Sequence, residues 1–231
     1  MFNDYKILKR GEKGYGLMIE SDAGVINPSD IRNKPFLYEM DKIGSGRAIM
    51  VEPLILFVVL QKYGVENRNG RIYPEHILKR EATNYQQLID SRGAIGESDH
   101  PESSVISNSR VSHEIKKIWW EGHTLVGELE IIMSPGFINQ GIISCEGDQI
   151  ANMLRKGIRV GVSSRGVGSL EEIAGKLLVQ DDFEIICWDI VTSPSTPGSY
   201  MFNSKEEARP FMESEIKGKD LLIDKLNKFL L

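Results

Sequence analysis

Residues Val111–Met133 read "VSHEIKKIWWEGHTLVGELEIIM", and the fold class follows from how this stretch is read. Two runs alternate with a period of two. Val111, His113, Ile115, Lys117 and Trp119 share one face of the first run. Leu125, Gly127, Leu129, Ile131 and Met133 share one face of the second. Successive side chains of a strand point to opposite faces, so this spacing predicts two β-strands, with "EGH" between them as a hairpin turn. Working outward, "AIMVEPLILFVVLQKYG" is rich in β-branched residues and reads as a buried strand interrupted at Pro53. Pro74 opens a helix in which Ile77, Leu78, Tyr85, Leu88 and Ile89 recur at helical spacing, and Gly93 ends it. "GDQIANMLRKG" predicts a short helix with Asp148 near its cap, and "SPGFINQG" before it reads as a loop. "KLLVQDDFEIICWDIVTSPSTPG" gives two further strands around an exposed turn at Asp181–Asp182. Many strands, few helices and no strict βαβ alternation predict an α+β fold with a mainly antiparallel sheet or barrel.

Composition narrows the function classes. The chain has 231 residues and a formal net charge of −5, which suits one large domain with extensions and gives no global basic field for nucleic acid. Cys145 and Cys187 form neither a disulfide framework nor a zinc-ligand spacing. The N-terminal "MFNDYKILKRGEK" lacks the apolar core of a signal peptide. The longest apolar run, "PLILFVVL", falls far short of the ~20 residues that cross a bilayer. The expectation is a soluble intracellular protein with no membrane partner. The final "GKDLLIDKLNKFLL" predicts a short amphipathic helix.

One stretch carries the chemistry. "GVSSRGVGS", Gly161–Ser169, follows a strand and reads as a glycine-rich turn. It lacks the spacing of a P-loop, of a dinucleotide-binding loop and of the Gly-x-Ser-x-Gly nucleophile elbow. A nucleophilic serine here would need a base and a group to orient that base. Of the four histidines (76, 100, 113 and 123), only His100 sits in a polar loop crowded with functional groups, "GESDHPESS". His76 reads as a surface residue, and His113 and His123 as strand and turn residues. All four precede Ser163, so a third member lying after the serine must be acidic. Asp189 interrupts the apolar run "CWDIVTSPS", where an unpartnered buried carboxylate would be costly. It is either partnered by an imidazole or faces solvent. Glu97, Asp99 and His100 could also be read as metal ligands, but no second histidine or cysteine stands at ligand spacing.

Taken together and in order, "VENRNGRIYP", "GESDHP", "WWEGH", "GVSSRGVGS" and "WDIVTSPS" resemble the prohead core proteases of tailed bacteriophages, over about residues 54–200. The resemblance implies a fold shared with herpesvirus assemblins, a β-barrel ringed by helices. It implies a serine endopeptidase that works without a cofactor or metal inside the assembling prohead, in the host cytoplasm. Its substrates would be scaffold, core and capsid proteins and the protease itself, and the resemblance is compatible with a homo-oligomer. The implied site residues are His100 as base, Ser163 as nucleophile and, matched by position, Asp189 as acid. Backbone N–H groups of Ser164, Arg165 and Gly166 would form the oxyanion hole, with the Arg165 side chain helping to shape it. Residues 1–47 would be a removable extension, 48–203 the protease domain and 204–231 a C-terminal helical tail. Similar proteases cut after a glutamate with an apolar residue two positions earlier. That pattern recurs at Leu37-Tyr38-Glu39 and Phe211-Met212-Glu213. The competing expectation is a catalytically silent assembly protein that keeps the barrel for binding. In that case His100, Ser163 and Asp189 would not converge.

Overall fold

In the computed structural model the described residues are 52–213, together with strands at 6–7, 16–19, 41–43 and 47–49. The expected helix near the C-terminus and the Leu37-Tyr38-Glu39 pattern lie outside them. A five-stranded sheet is built on the hairpin. It runs β14 (Met201–Phe202), β5 (Leu54–Lys62), β9 (Thr124–Ile131), β8 (Val111–Glu121) and β7 (Ile95–Glu97), every neighbour antiparallel. A second sheet orders β1 (Lys6–Ile7), β2 (Gly16–Ile19), β10 (Gly161–Gly168) and β13 (Glu184–Val191). β11 (Leu170–Ile173) and β12 (Lys176–Val179) form a smaller sheet with β6 (Arg71–Ile72). β3 (Asp41–Ile43) pairs with β4 (Arg47–Ile49).

The two large sheets enclose one core. Leu56, Val58 and Leu60 of β5, Leu129 of β9, Val162 of β10 and Trp188 of β13 pack together within it. Helix α1 (Glu75–Asp90) buries Ile77, Leu78, Ala82 and Tyr85, and the Tyr85 ring meets Trp188 edge-on at 4.6 Å. That contact fixes β13 from the helix side. Helix α3 (Glu146–Arg155) packs against β8 and β9, and α4 (Lys205–Glu213) lies on β5 and β14.

The α+β, mostly antiparallel expectation holds, but the barrel does not: no continuous ladder closes a ring among the described residues. Among the described residues the backbones of the two large sheets pair at their edges only as isolated bridges, Ser98 with Ile190 and Gly161 with Tyr200. Two local expectations are also corrected. "SPGFINQG" forms helix α2 (Pro135–Gln140). Ser134 Oγ accepts the Phe137 N–H at its start, Pro135 sits in the first turn, and Gly141 closes it at φ 73°. "GVSSRGVGS" is no turn: Gly161–Gly168 is a buried strand between β2 and β13. Its glycines make room, since a Cβ at Gly166 or Gly168 would come within 2.5 or 2.8 Å of Phe183.

Candidate active site

Cross-strand partners in an antiparallel pair point to the same side of the sheet. β10 and β13 place Ser163 opposite Asp189 and Arg165 opposite Cys187, while Val162 faces Ile190 and Ser164 faces Trp188. Val162, Trp188 and Ile190 belong to the core. The other face of the same two strands therefore gathers Ser163, Arg165, Cys187 and Asp189. Asp189 is fully buried, so the solvent-facing alternative for it is excluded.

The loop after β7 brings His100 over this face. Ser98 bridges Ile190, and the Asp99 N–H donates to the Ile190 carbonyl at 2.9 Å. Asp99 sits at φ 64°, a left-handed turn that aspartate tolerates better than most residues, and Pro101 restricts the backbone of His100. Close approach of β7 depends on Gly96, where a Cβ would lie 2.2 Å from the Trp188 carbonyl oxygen. His113 braces the same spot. Its Nε2 lies 2.9 Å from the Trp188 oxygen and its Nδ1 lies 2.9 Å from Ser112 Oγ. Burial pushes this imidazole down to about 4, so it is neutral and donates to the carbonyl.

His100 Nδ1 lies 2.7 Å from Asp189 Oδ2, with the two side chains 3% and 0% exposed. Burial alone would raise the Asp189 carboxyl. The hydrogen bond and charge of His100, the charge of Arg165 and the Glu97 N–H outweigh it and hold the carboxyl below its usual value. An ionised carboxylate only accepts, so Nδ1 of His100 carries a proton, and in the neutral ring the lone pair is then on Nε2. His100 Nε2 and Ser163 Oγ are both buried and both lack a hydrogen-bond partner. A hydrogen bond between them is not formed in this arrangement.

The Arg165 side chain lies inside the protein. Its guanidinium is fully buried, 2.9 Å from Glu97 Oε2 and 3.0 Å from Asp189 Oδ2. Sequence reasoning passed over Glu97 except as a metal ligand. Its carboxylate instead meets Arg165 and the Ser107 N–H. Among the described residues no three His, Cys, Asp or Glu side chains converge as a metal site would require.

A serine and a buried acid share one sheet face, with a histidine from the loop after β7 over them, and comparison with known proteins gives the family. A family model described as "prohead core protein serine protease" matches residues 16–209. The chain belongs to that family. The prohead core protein protease of Enterobacteria phage T4 is 29% identical over 160 residues, covering 68% of this chain and 72% of the relative. A solved structure of the bacteriophage T4 capsid assembly protease, gp21, is similar in fold. Its TM-score is 0.59 at 23% identity, over 80% of this chain and all of the other. Membership of the prohead protease family makes this chain a peptidase of the phage prohead. Among the described residues no helix is long and apolar enough to cross a membrane.

Proposed function

We propose that the chain is a serine endopeptidase in which Ser163 attacks, His100 shuttles the proton and Asp189 orients His100. The observation that carries this reading is the short His100–Asp189 contact with His100 Nε2 and Ser163 Oγ left without partners beside it. In the reaction the Ser163 Oγ–H proton passes to His100 Nε2 as the Oγ–C bond forms. The C–N bond then breaks and the proton passes to the leaving amine. Water repeats the sequence to release the acyl group from Ser163.

The oxyanion needs a preorganised donor next to Ser163. The Val162 N–H donates to the Ser199 carbonyl, on the edge of β10 away from β13. Backbone groups alternate sides along a strand, so the Ser164 N–H points to that same edge. The edge is covered by Ser199–Tyr200 beside Gly161–Val162 and by β2 beside Arg165–Gly168, which leaves Ser164 in the gap between them. Of the three expected donors, Ser164 is therefore the best placed. The same alternation turns Arg165 toward β13 and Gly166 toward β2.

Scaffold, core and capsid proteins of the prohead are the proposed substrates. Self-cleavage at Phe211-Met212-Glu213 requires α4 to open, because Met212 is buried and the segment is helical. The silent-assembly alternative expects no convergence, and the 2.7 Å contact between residues 89 positions apart speaks against it. The test is incubation of wild type and Ser163→Ala with a fluorophosphonate probe, followed by mass spectrometry of the chain. Labelling at Ser163 in wild type alone is expected. Absence of labelling, or equal labelling in both proteins, overturns the assignment.

A further inference from the structure

A second carboxylate stands behind Asp189. Glu97 is fully buried at the end of β7, and its N–H donates to Asp189 Oδ1 at 3.0 Å. Its Oε2 lies 2.9 Å from Arg165 Nη2, and its Oε1 accepts the Ser107 N–H. The same guanidinium reaches Asp189 Oδ1 at 3.2 Å and donates from Nη1 to the Ser103 carbonyl at 2.9 Å. Ser103 and Ser107 belong to the loop that carries His100. One guanidinium and one carboxylate thus tie that loop, from inside, to the strands carrying Ser163 and Asp189.

Stability alone does not account for this pair. Desolvating two ions costs about as much as their attraction returns, and apolar replacements of buried pairs are often neutral or stabilising. The charge count points elsewhere. Glu97 and Asp189 as carboxylates, with Arg165 as cation, leave the buried set one charge negative. A proton on His100 makes it neutral, and that proton arrives during the attack by Ser163.

We propose that Glu97 and Arg165 are positioning residues for the peptidase reaction, holding Asp189 and the His100 loop in register and setting the charge that meets protonated His100. This rests on the reading of Ser163, His100 and Asp189 given above. Both side chains are fully buried, and their contacts are to one another, Asp189, Cys187 and the loop backbone.

The other titratable groups facing Asp189 are Cys187 on β13, Tyr85 on α1 and His113 on β8. Burial pushes the first two well up and the third down to about 4, so all three are neutral at neutral pH. The charge that titrates against His100 is then that of Glu97, Asp189 and Arg165.

The test follows the His100 ring nitrogens by NMR across pH, together with the rate of fluorophosphonate labelling at Ser163, in wild type, Glu97→Gln, Arg165→Met and Arg165→Lys. Circular dichroism monitors folding. Glu97→Gln removes a negative charge, so the His100 midpoint moves down by about one unit. Arg165→Met leaves two carboxylates without their cation and moves it up by a similar amount. Arg165→Lys keeps the charge but loses the fork, so the midpoint stays near wild type while labelling slows about tenfold to a hundredfold. If Arg165→Met does not fold, the contrast between Glu97→Gln and Arg165→Lys carries the test. An unmoved midpoint in Glu97→Gln, or shifts of the same sign in Glu97→Gln and Arg165→Met, overturns the inference. Failure of the underlying reading looks different: Ser163 is then not labelled in wild type, or Ser163→Ala is labelled equally.

Discussion

Among the described residues two aspartates are fully buried, and they do opposite things. Asp148, in the first turn of α3, collects the N–H and hydroxyl of Ser134, the N–H and hydroxyl of Ser144 and the Cys145 N–H. Every partner is neutral and local, and together they lock α2 to α3. Asp189 collects a histidine, a guanidinium, a thiol and a backbone N–H, brought together from three separate parts of the chain. Burial raises both carboxyls, and their partners pull both below the usual value. A buried, ionised, well-bonded acid is therefore not in itself a functional sign. What separates the two is the neighbourhood: beside Asp189 lie two polar atoms, His100 Nε2 and Ser163 Oγ, that the fold leaves unused.

The strongest way to break this contrast is to exchange the two acids for amides. Asp189→Asn is expected to keep the fold and lower kcat about 10⁴-fold, because an amide can present the wrong hydrogen to the imidazole. Peptide or protein hydrolysis by the folded variant measures it, and wild-type rates would show that Asp189 orients nothing. Asp148→Asn should do the reverse. It should cost about 2–3 kcal/mol of stability, read by urea unfolding, with activity per folded molecule unchanged.

Substituting Gly96 probes the approach of the His100 loop. Gly96→Ala places a methyl against the Trp188 carbonyl and the His113 ring. A loss of about 2 kcal/mol is expected together with slower Ser163 labelling, since β7 must move from β13. Normal labelling would detach β7 from the site.

Acid sharpens the comparison further. A carboxyl whose folded value is depressed adds stability above its unfolded value, near pH 4, and that stability is lost as pH falls through the folded value. Both aspartates are depressed, so wild type should lose stability below about pH 4, and each amide variant should lose less over that window. Urea midpoints between pH 7 and pH 3 test this, and parallel curves for all three proteins would contradict it. The smallest effect is expected at Ser169, whose N–H and hydroxyl both meet Asp182 in an exposed turn. Ser169→Ala should shift stability by no more than about 1 kcal/mol and leave labelling untouched.

Several of these features were legible in the amino-acid order. The hairpin of β8 and β9 shows itself by strict alternation, and α1 by its apolar spacing. Asp189 was legible because a charge inside "CWDIV" needs a reason. β10 was not, because serines and glycines carry no apolar alternation. Its strand character comes from neighbours on both sides and from Phe183 lying over Gly166 and Gly168. Arg165 and Glu97 stand 68 positions apart, so local pattern could not pair them. The missing barrel ladder has the same origin. Strands can be counted from sequence, but whether two sheet edges share one bridge or many depends on tertiary packing.

Those two single bridges bear on the life of the polypeptide before it is finished. Ser98 meets Ile190, Gly161 meets Tyr200, and His100 meets Asp189. A ribosome that has reached β10 has already made the histidine and the serine, yet neither has its strand partner. Pairings between such distant residues form late and slowly compared with local ones. A nascent chain thus carries His100 and Ser163 without the strand partners of either until about residue 200 has emerged and folded back, so the proposed triad comes together only late in synthesis.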